Sequence, residues 1–211
     1  MDEPTGIRTV ALECPECGEK IHPPRGDVAF SCARCRAASE VSGGRLVSVA
    51  CSWPAPDSRL RLPFWCFEVD VSYSADDADA VALLGRLVRP DRVYVPAFRQ
   101  RSVILFGDMG LALTFSPPAM EEGEPGRFSG ATLGSAEALR LVEPMILWRA
   151  DQVHDVTGID VRASVADRRL VAIPARDDGG RIEMLPLGRS WPAAAFLDLG
   201  ALRWLATCDR L

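Results

Sequence analysis

Cys14-Pro15-Glu16-Cys17, answered by Cys32-Ala33-Arg34-Cys35, is the stretch that decides how this chain begins to fold. The two Cys-x-x-Cys hooks stand fourteen residues apart. That spacing lets four thiolates meet at one tetrahedral metal and leaves a loop long enough for one tight hairpin. Pro15 stiffens the first hook. Gly18 can take the positive φ that turns backbone N–H groups towards the sulfurs. The second hook carries Arg36 where the first has this glycine. Lys20 to His22 and Val28 to Ser31 are expected as hairpin arms around the turn-rich tip Pro23-Pro24-Arg25-Gly26-Asp27, with a strand-like lead over Ile7 to Glu13. His22 sits at a proline turn beside four better ligands and reads as a solvated loop residue.

Seven cysteines are present, and Cys51, Cys66 and Cys208 stand at spacings unrelated to the hooks. This is not a disulfide framework. Reduced thiols that hold a metal, in a chain whose Met1 end shows no export signal, point to the cytoplasm. The longest apolar runs, Val103 to Phe106 and Ala193 to Leu197, fall far short of the roughly 18 residues that span a bilayer.

The quoted cysteines, with Pro15, Glu16 and Gly18 between and after them, resemble the zinc-ribbon superfamily over about residues 10–40. The resemblance implies one structural Zn2+ held by Cys14, Cys17, Cys32 and Cys35. Four thiolates also hold iron in rubredoxin-like electron carriers, where both hooks are usually followed by glycine, so zinc is the preferred ion. The resemblance does not extend to the rest of the chain.

With 48% hydrophobic and 25% charged residues, the chain can bury a sizeable core. The pair Gly43-Gly44 marks the expected boundary between a zinc ribbon over 1–42 and a larger α+β domain over 45–211. This larger domain is expected to be a mainly antiparallel sheet with two or three helices, divisible into β-rich units at about 45–130 and 150–211. Strands are expected at 45–49, 59–71 and 92–98, and as a hairpin over 102–115 turning at Gly107-Asp108-Met109-Gly110. Pro63 within the second of these marks an edge, a bulge or a strand start. A capping box at Ser74 and Asp77 opens a helix over 75–88. Residues 116–130 read as a loop, 135–148 as a helix kinked at Pro144, and 169–186 as a hairpin around Arg176-Asp177-Asp178-Gly179-Gly180. A last helix is expected from Trp191-Pro192 to about Ala206.

A formal charge of −5 disfavours a phosphate backbone on average. The ribbon is itself slightly acidic, and four thiolates on a divalent zinc make it more so. Phe30 is its one aromatic, and the small basic spot Arg34-Cys35-Arg36 reads as a solvated tip. A Cys66, His154, Asp155 set can be written down, but it has no catalytic motif around it. The expected role is therefore a non-enzymatic docking or assembly subunit for a protein partner, anchored by Phe64, Trp65, Tyr94 and Phe98 near a proline-marked sheet edge. The alternatives are a nucleic-acid-associated ribbon and a rubredoxin-like electron carrier.

Overall fold

A computed structural model describes residues 12–208 of the chain. The lead expected over Ile7 to Glu13 therefore lies mostly outside the described residues; at its end Glu13 bridges Lys20. Lys20 thus pairs back towards the lead instead of facing Val28 to Ser31.

The hooks sit beside a three-stranded antiparallel sheet of β1 (Ala29–Ser31), β2 (Ala38–Ser42) and β3 (Arg45–Val49). Ser42 pairs with Arg45, and Gly43 and Gly44 take φ of +57° and +75° between them. Two successive positive φ values define the two-residue hairpin turn whose twist matches its strands. Gly43-Gly44 is therefore a turn within the ribbon sheet and not the linker expected there, and β3 belongs with the hooks.

A six-stranded sheet carries the rest. It contains β4 (Cys51–Ser52), β5 (Leu60–Ser74), β6 (Arg92–Pro96), β7 (Asp160–Asp177), β8 (Arg181–Met184) and β9 (Arg189–Pro192). The order is β6-β5-β7-β8-β9, antiparallel throughout, with β4 parallel to β7. The described helices are α1 (Ala78–Leu87), α2 (Val103–Phe106), α3 (Met109–Phe115), α4 (Ser135–Leu139), α5 (Val142–Asp151) and α6 (Leu199–Cys208). The class is α+β, as expected, but the helices outnumber the two or three foreseen: α1, α5 and α6 have ten residues each, and three are shorter.

Every residue from Leu60 to Phe67 is buried, because β5 has a core on each face. Side chains alternate along a strand. Trp65 and Phe67 join Val93, Val95 and Leu170 under α1 and α5, while Leu62, Phe64 and Cys66 join Tyr94, Ile173 and Phe196 on the side of α3 and α6. Pro63 stands well inside β5, and its carbonyl accepts from the Ala97 N–H just past the end of β6. The N–H and C=O of a strand residue point to the same neighbour. The donor Pro63 lacks would have pointed past β6, so the ladder to β7 loses no bond.

The hairpin expected over 102–115 is helical instead, as α2 and α3. Its β-forming residues are overridden by Asp108, whose carboxylate accepts from Leu111 N at 2.8 Å and caps α3. Gly110 then lets α3 press onto β6, since a Cβ there would stand 2.1 Å from the Tyr94 carbonyl. The expected helix over 135–148 is two helices, and Pro144 falls in the first turn of α5, where a missing N–H costs nothing. Trp191 and Pro192 complete β9, and the last helix begins only at Leu199.

The ribbon sheet is fastened to the larger body. Buried Glu40 of β2 accepts from Ser135 N at 2.5 Å and from Ser135 Oγ at 2.8 Å, satisfying the start of α4. Val28 N donates to the Ala131 carbonyl at 2.7 Å, Ser31 Oγ to the Phe128 carbonyl at 3.2 Å, and Gly130 N to Asp27 Oδ2 at 2.8 Å. Ala29 and Ala38 lie in the same core as Trp53 and Phe128.

Candidate metal centre

The two hooks fold into matching knuckles. In the first, Gly18 N donates to the Cys14 carbonyl at 2.9 Å and Cys14 N to that of Glu19 at 2.8 Å. In the second, Arg36 N donates to the Cys32 carbonyl at 3.2 Å and Cys32 N to that of Ala37 at 2.9 Å. Gly18 has φ +71° and Arg36 φ +66°. The arginine thus adopts the left-handed conformation that glycine holds in the sister knuckle, at a steric cost of roughly 1–2 kcal/mol.

This symmetry brings the four sulfurs together. Cys14 Sγ and Cys35 Sγ are 3.6 Å apart, as are Cys17 Sγ and Cys32 Sγ, and all four lie within 4.8 Å of one another. Sulfurs on a tetrahedral zinc, with Zn–S of about 2.3 Å, stand about 3.8 Å apart, so these side chains fit such an ion. Backbone N–H groups support negative sulfur, as Arg34 N points to Cys32 Sγ at 3.4 Å. Burial alone would raise the Cys32 thiol. The N–H groups of Cys35 and Arg34 outweigh it and bring the pKa down to about 7. Cys35 has the Ala37 N–H to favour its thiolate, but desolvation and three neighbouring sulfurs push it up to about 12. Neighbouring thiols therefore resist ionising together, and a divalent ion relieves that repulsion.

Cys14 and Cys32 are buried among Ile21, Phe30, Leu12 and Leu46, whereas Cys35 is exposed. Ser48 Oγ on β3 donates to Glu16 Oε1 at 2.6 Å, tying the sheet to the first knuckle. His22 is exposed and outside the cluster. Cys14, Cys17, Cys32, Cys35, Cys51 and Cys66 are all free of disulfides.

The four aromatic residues expected as partner anchors are core residues. Phe64 and Trp65 are fully buried, and Tyr94 and Phe98 nearly so. Phe64 and Phe98 meet edge to face at 5.4 Å, Phe98 stacks on Phe196 at 5.6 Å, and Trp65 Nε1 donates to the Leu133 carbonyl at 2.9 Å. β6, which ends at Pro96, is an edge of the sheet, but burial takes Phe64, Trp65 and Tyr94 away from a docking surface, and Phe98 is present only at the buried floor of the apolar cleft described next. Cys66 is equally enclosed, and burial raises its thiol, which makes it a poor nucleophile. His154 follows the end of α5, one turn after Ala150, whose carbonyl accepts from its N–H.

An apolar cleft of about 360 Å³ was not foreseen. Leu133, Leu141, Met145, Trp148 and Val103 line it, with Gln100 and Asp108 at its polar end. Ile104, beside Val103, is 85% exposed, and Leu141 is 42% exposed. Burial raises the Asp108 carboxyl above the usual carboxylate range. The sequence offered no signal for this cleft, because it depends on α2 and α3 being helical and on α4 and α5 being separate.

No family model, curated protein or solved structure matches the chain. No helix among the described residues is long and apolar enough to cross a membrane.

Proposed function

We propose that this protein is a non-enzymatic scaffold in which Cys14, Cys17, Cys32 and Cys35 hold one structural Zn2+, and that it works in the cytoplasm by docking onto a protein partner. The zinc reading rests on the mutual approach of the four sulfurs. A closed set of four protein thiolates leaves no open position for substrate, which is the signature of a structural site. When bound, the ion would supply folding energy and no chemistry. Cys35 at the exposed end and Cys32 at the buried end would both ligate it.

The docking reading is supported by the apolar cleft beside Ile104 and Leu141. Contiguous exposed apolar surface rimmed by polar groups is what a soluble protein leaves for a partner. The anchors proposed are thus Ile104, Leu141 and Trp148 in place of the buried aromatics. Affinity purification from the native host, quantified by mass spectrometry and followed by a binding titration with the purified partner, tests this. Ile104→Asp should weaken the binding at least tenfold, about 1.4 kcal/mol, with fold and metal content unchanged. Unaltered partner affinity in Ile104→Asp and Trp148→Ala, or a turnover activity abolished by Cys66→Ala, would overturn it.

One observation favours a second reading, iron-based electron transfer. Arg36 takes the backbone conformation of glycine, so the second knuckle has the shape that its sequence seemed to deny. The ligand geometry then suits iron as well as zinc. An absorption spectrum separates the two, since a ferric four-thiolate site is red.

A further inference from the structure

Arg36 looks like a solvated tip in the sequence, but the fold half-buries it at the edge of a second, polar cleft of about 240 Å³. Arg59, from the loop before β5, and Arg127, from the long loop before α4, line the same cleft. None of these three guanidinium groups has an ion-pair or hydrogen-bond partner among the described residues, and Arg127 Nε is buried with no acceptor. Two carboxylates also line the cleft, those of Asp57 and Glu124. Asp57 is already taken by a fourth arginine, Arg61, at 3.0 Å. Against a whole-chain formal charge of −5, this is a local concentration of positive charge on three separate chain segments.

We propose that the cleft formed by Arg36, Arg59 and Arg127 binds a phosphate group. Guanidinium forks match phosphate oxygens bidentately, and three of them without an acceptor among the described residues line this one cleft. Arg36 supplies independent support. It stands in a left-handed conformation that glycine would hold without strain, as Gly18 does in the other knuckle. A strained residue kept in place of the relaxed one points to a use for its side chain. The cleft is bounded by Gly126 and Leu205, and the surrounding protein is acidic, which suits one compact phosphate and repels an extended polyanion. That group is free phosphate or the phosphoryl group of a phosphoserine side chain. The proposal stands independently of the docking surface and of the identity of the metal.

The probe is inorganic phosphate, titrated into the full-length metal-loaded protein at ionic strength held constant with chloride. The arginine Nε–H resonances are followed by NMR. The expected result is saturable one-site binding with a dissociation constant of about 1 mM or tighter, in which the Nε–H signals of Arg36, Arg59 and Arg127 move together. Arg59→Ala and Arg127→Ala should each weaken it about tenfold, the worth of one charge-assisted contact. Arg36→Gly is the most informative variant, because it should keep the metal, melt no lower than the parent and still lose phosphate affinity. Arg140→Ala, outside the cleft, should change nothing. A parallel titration with a phosphoserine peptide separates the sources: tighter binding than free phosphate assigns a phosphorylated chain, and weaker binding assigns the free ion. Failure to saturate, equal affinity in all four variants, or tighter binding to a single-stranded oligonucleotide with a steep salt dependence would overturn the proposal.

Discussion

Replacing Glu40 by alanine should destabilise the whole protein, although Glu40 lies in the ribbon sheet. Glu40 is 3% exposed, and its carboxylate accepts two bonds from Ser135, at 2.5 and 2.8 Å. Hydrogen bonds to a charged acceptor contribute about 1.5–3 kcal/mol each, and the two share one acceptor group, so their loss is less than additive. The Ser135 N–H at the start of α4 is left without a partner in a buried position. A cost of about 3 kcal/mol follows, against a total stability of about 5–15 kcal/mol. For a chain of this size that corresponds to a melting temperature roughly 6–12 °C lower. Urea denaturation can follow both parts at once. All five tryptophans lie at or beyond position 53, so their fluorescence reports on the larger body, while a chelating dye reports release of metal from the ribbon. The two transitions should coincide in the parent and shift together in Glu40→Ala, with the same slope. A change below about 0.5 kcal/mol, or metal release that moves alone, would show that the ribbon unfolds as a separate unit.

Asp27 gives a pH dependence. Burial, with the nearby Asp198 carboxylate, raises its pKa from 3.8 to about 7 despite the Gly130 N–H it accepts. The folded state therefore holds a proton that the unfolded chain releases between about pH 4 and 7. This group's penalty is present above pH 7 and fades as the pH falls towards 4. Asp27→Asn should stabilise by about 1–2 kcal/mol at pH 8, after allowance for solvent screening, and by much less at pH 5, as read from urea midpoints. An equal effect at both pH values would contradict the assignment. Gly110→Ala places a Cβ against the Tyr94 carbonyl and should cost about 3 kcal/mol or more by forcing α3 off β6, whereas Gly85→Ala, with open space around it, should be neutral or stabilising by calorimetry.

The four-cysteine cluster was legible because its geometry is local: two short hooks, each closed by its own backbone bonds, need only one hairpin between them. Alternation and β-forming residues marked β5. The capping box read at Ser74 and Asp77 opened the helix too early: Ser74 ends β5, and Asp77 itself caps α1 through Asp79 N and Ala80 N. The errors have two physical sources. Gly43-Gly44 between two strands carries the signal of a hairpin turn, and reading it as a linker separated β3 from its own sheet. The run from Val103 to Phe115 is rich in β-formers, and only the cap at Asp108 and the fit of Gly110 under Tyr94 make it helical, one a weak local signal and the other a tertiary contact. Fastening through Glu40, Asp27 and Ser31 spans about a hundred residues of sequence, so no local pattern announces it. Arg36, Arg59 and Arg127 are distant in the chain for the same reason, and their convergence appears only in the fold.

Metal analysis of the freshly purified protein, with an absorption spectrum of the same sample, tests the central claim most directly. The account predicts a colourless protein holding about one zinc per chain, with the zinc absent from Cys32→Ser. A red protein containing iron, or a metal-free protein that folds and melts as the loaded one does, would contradict it.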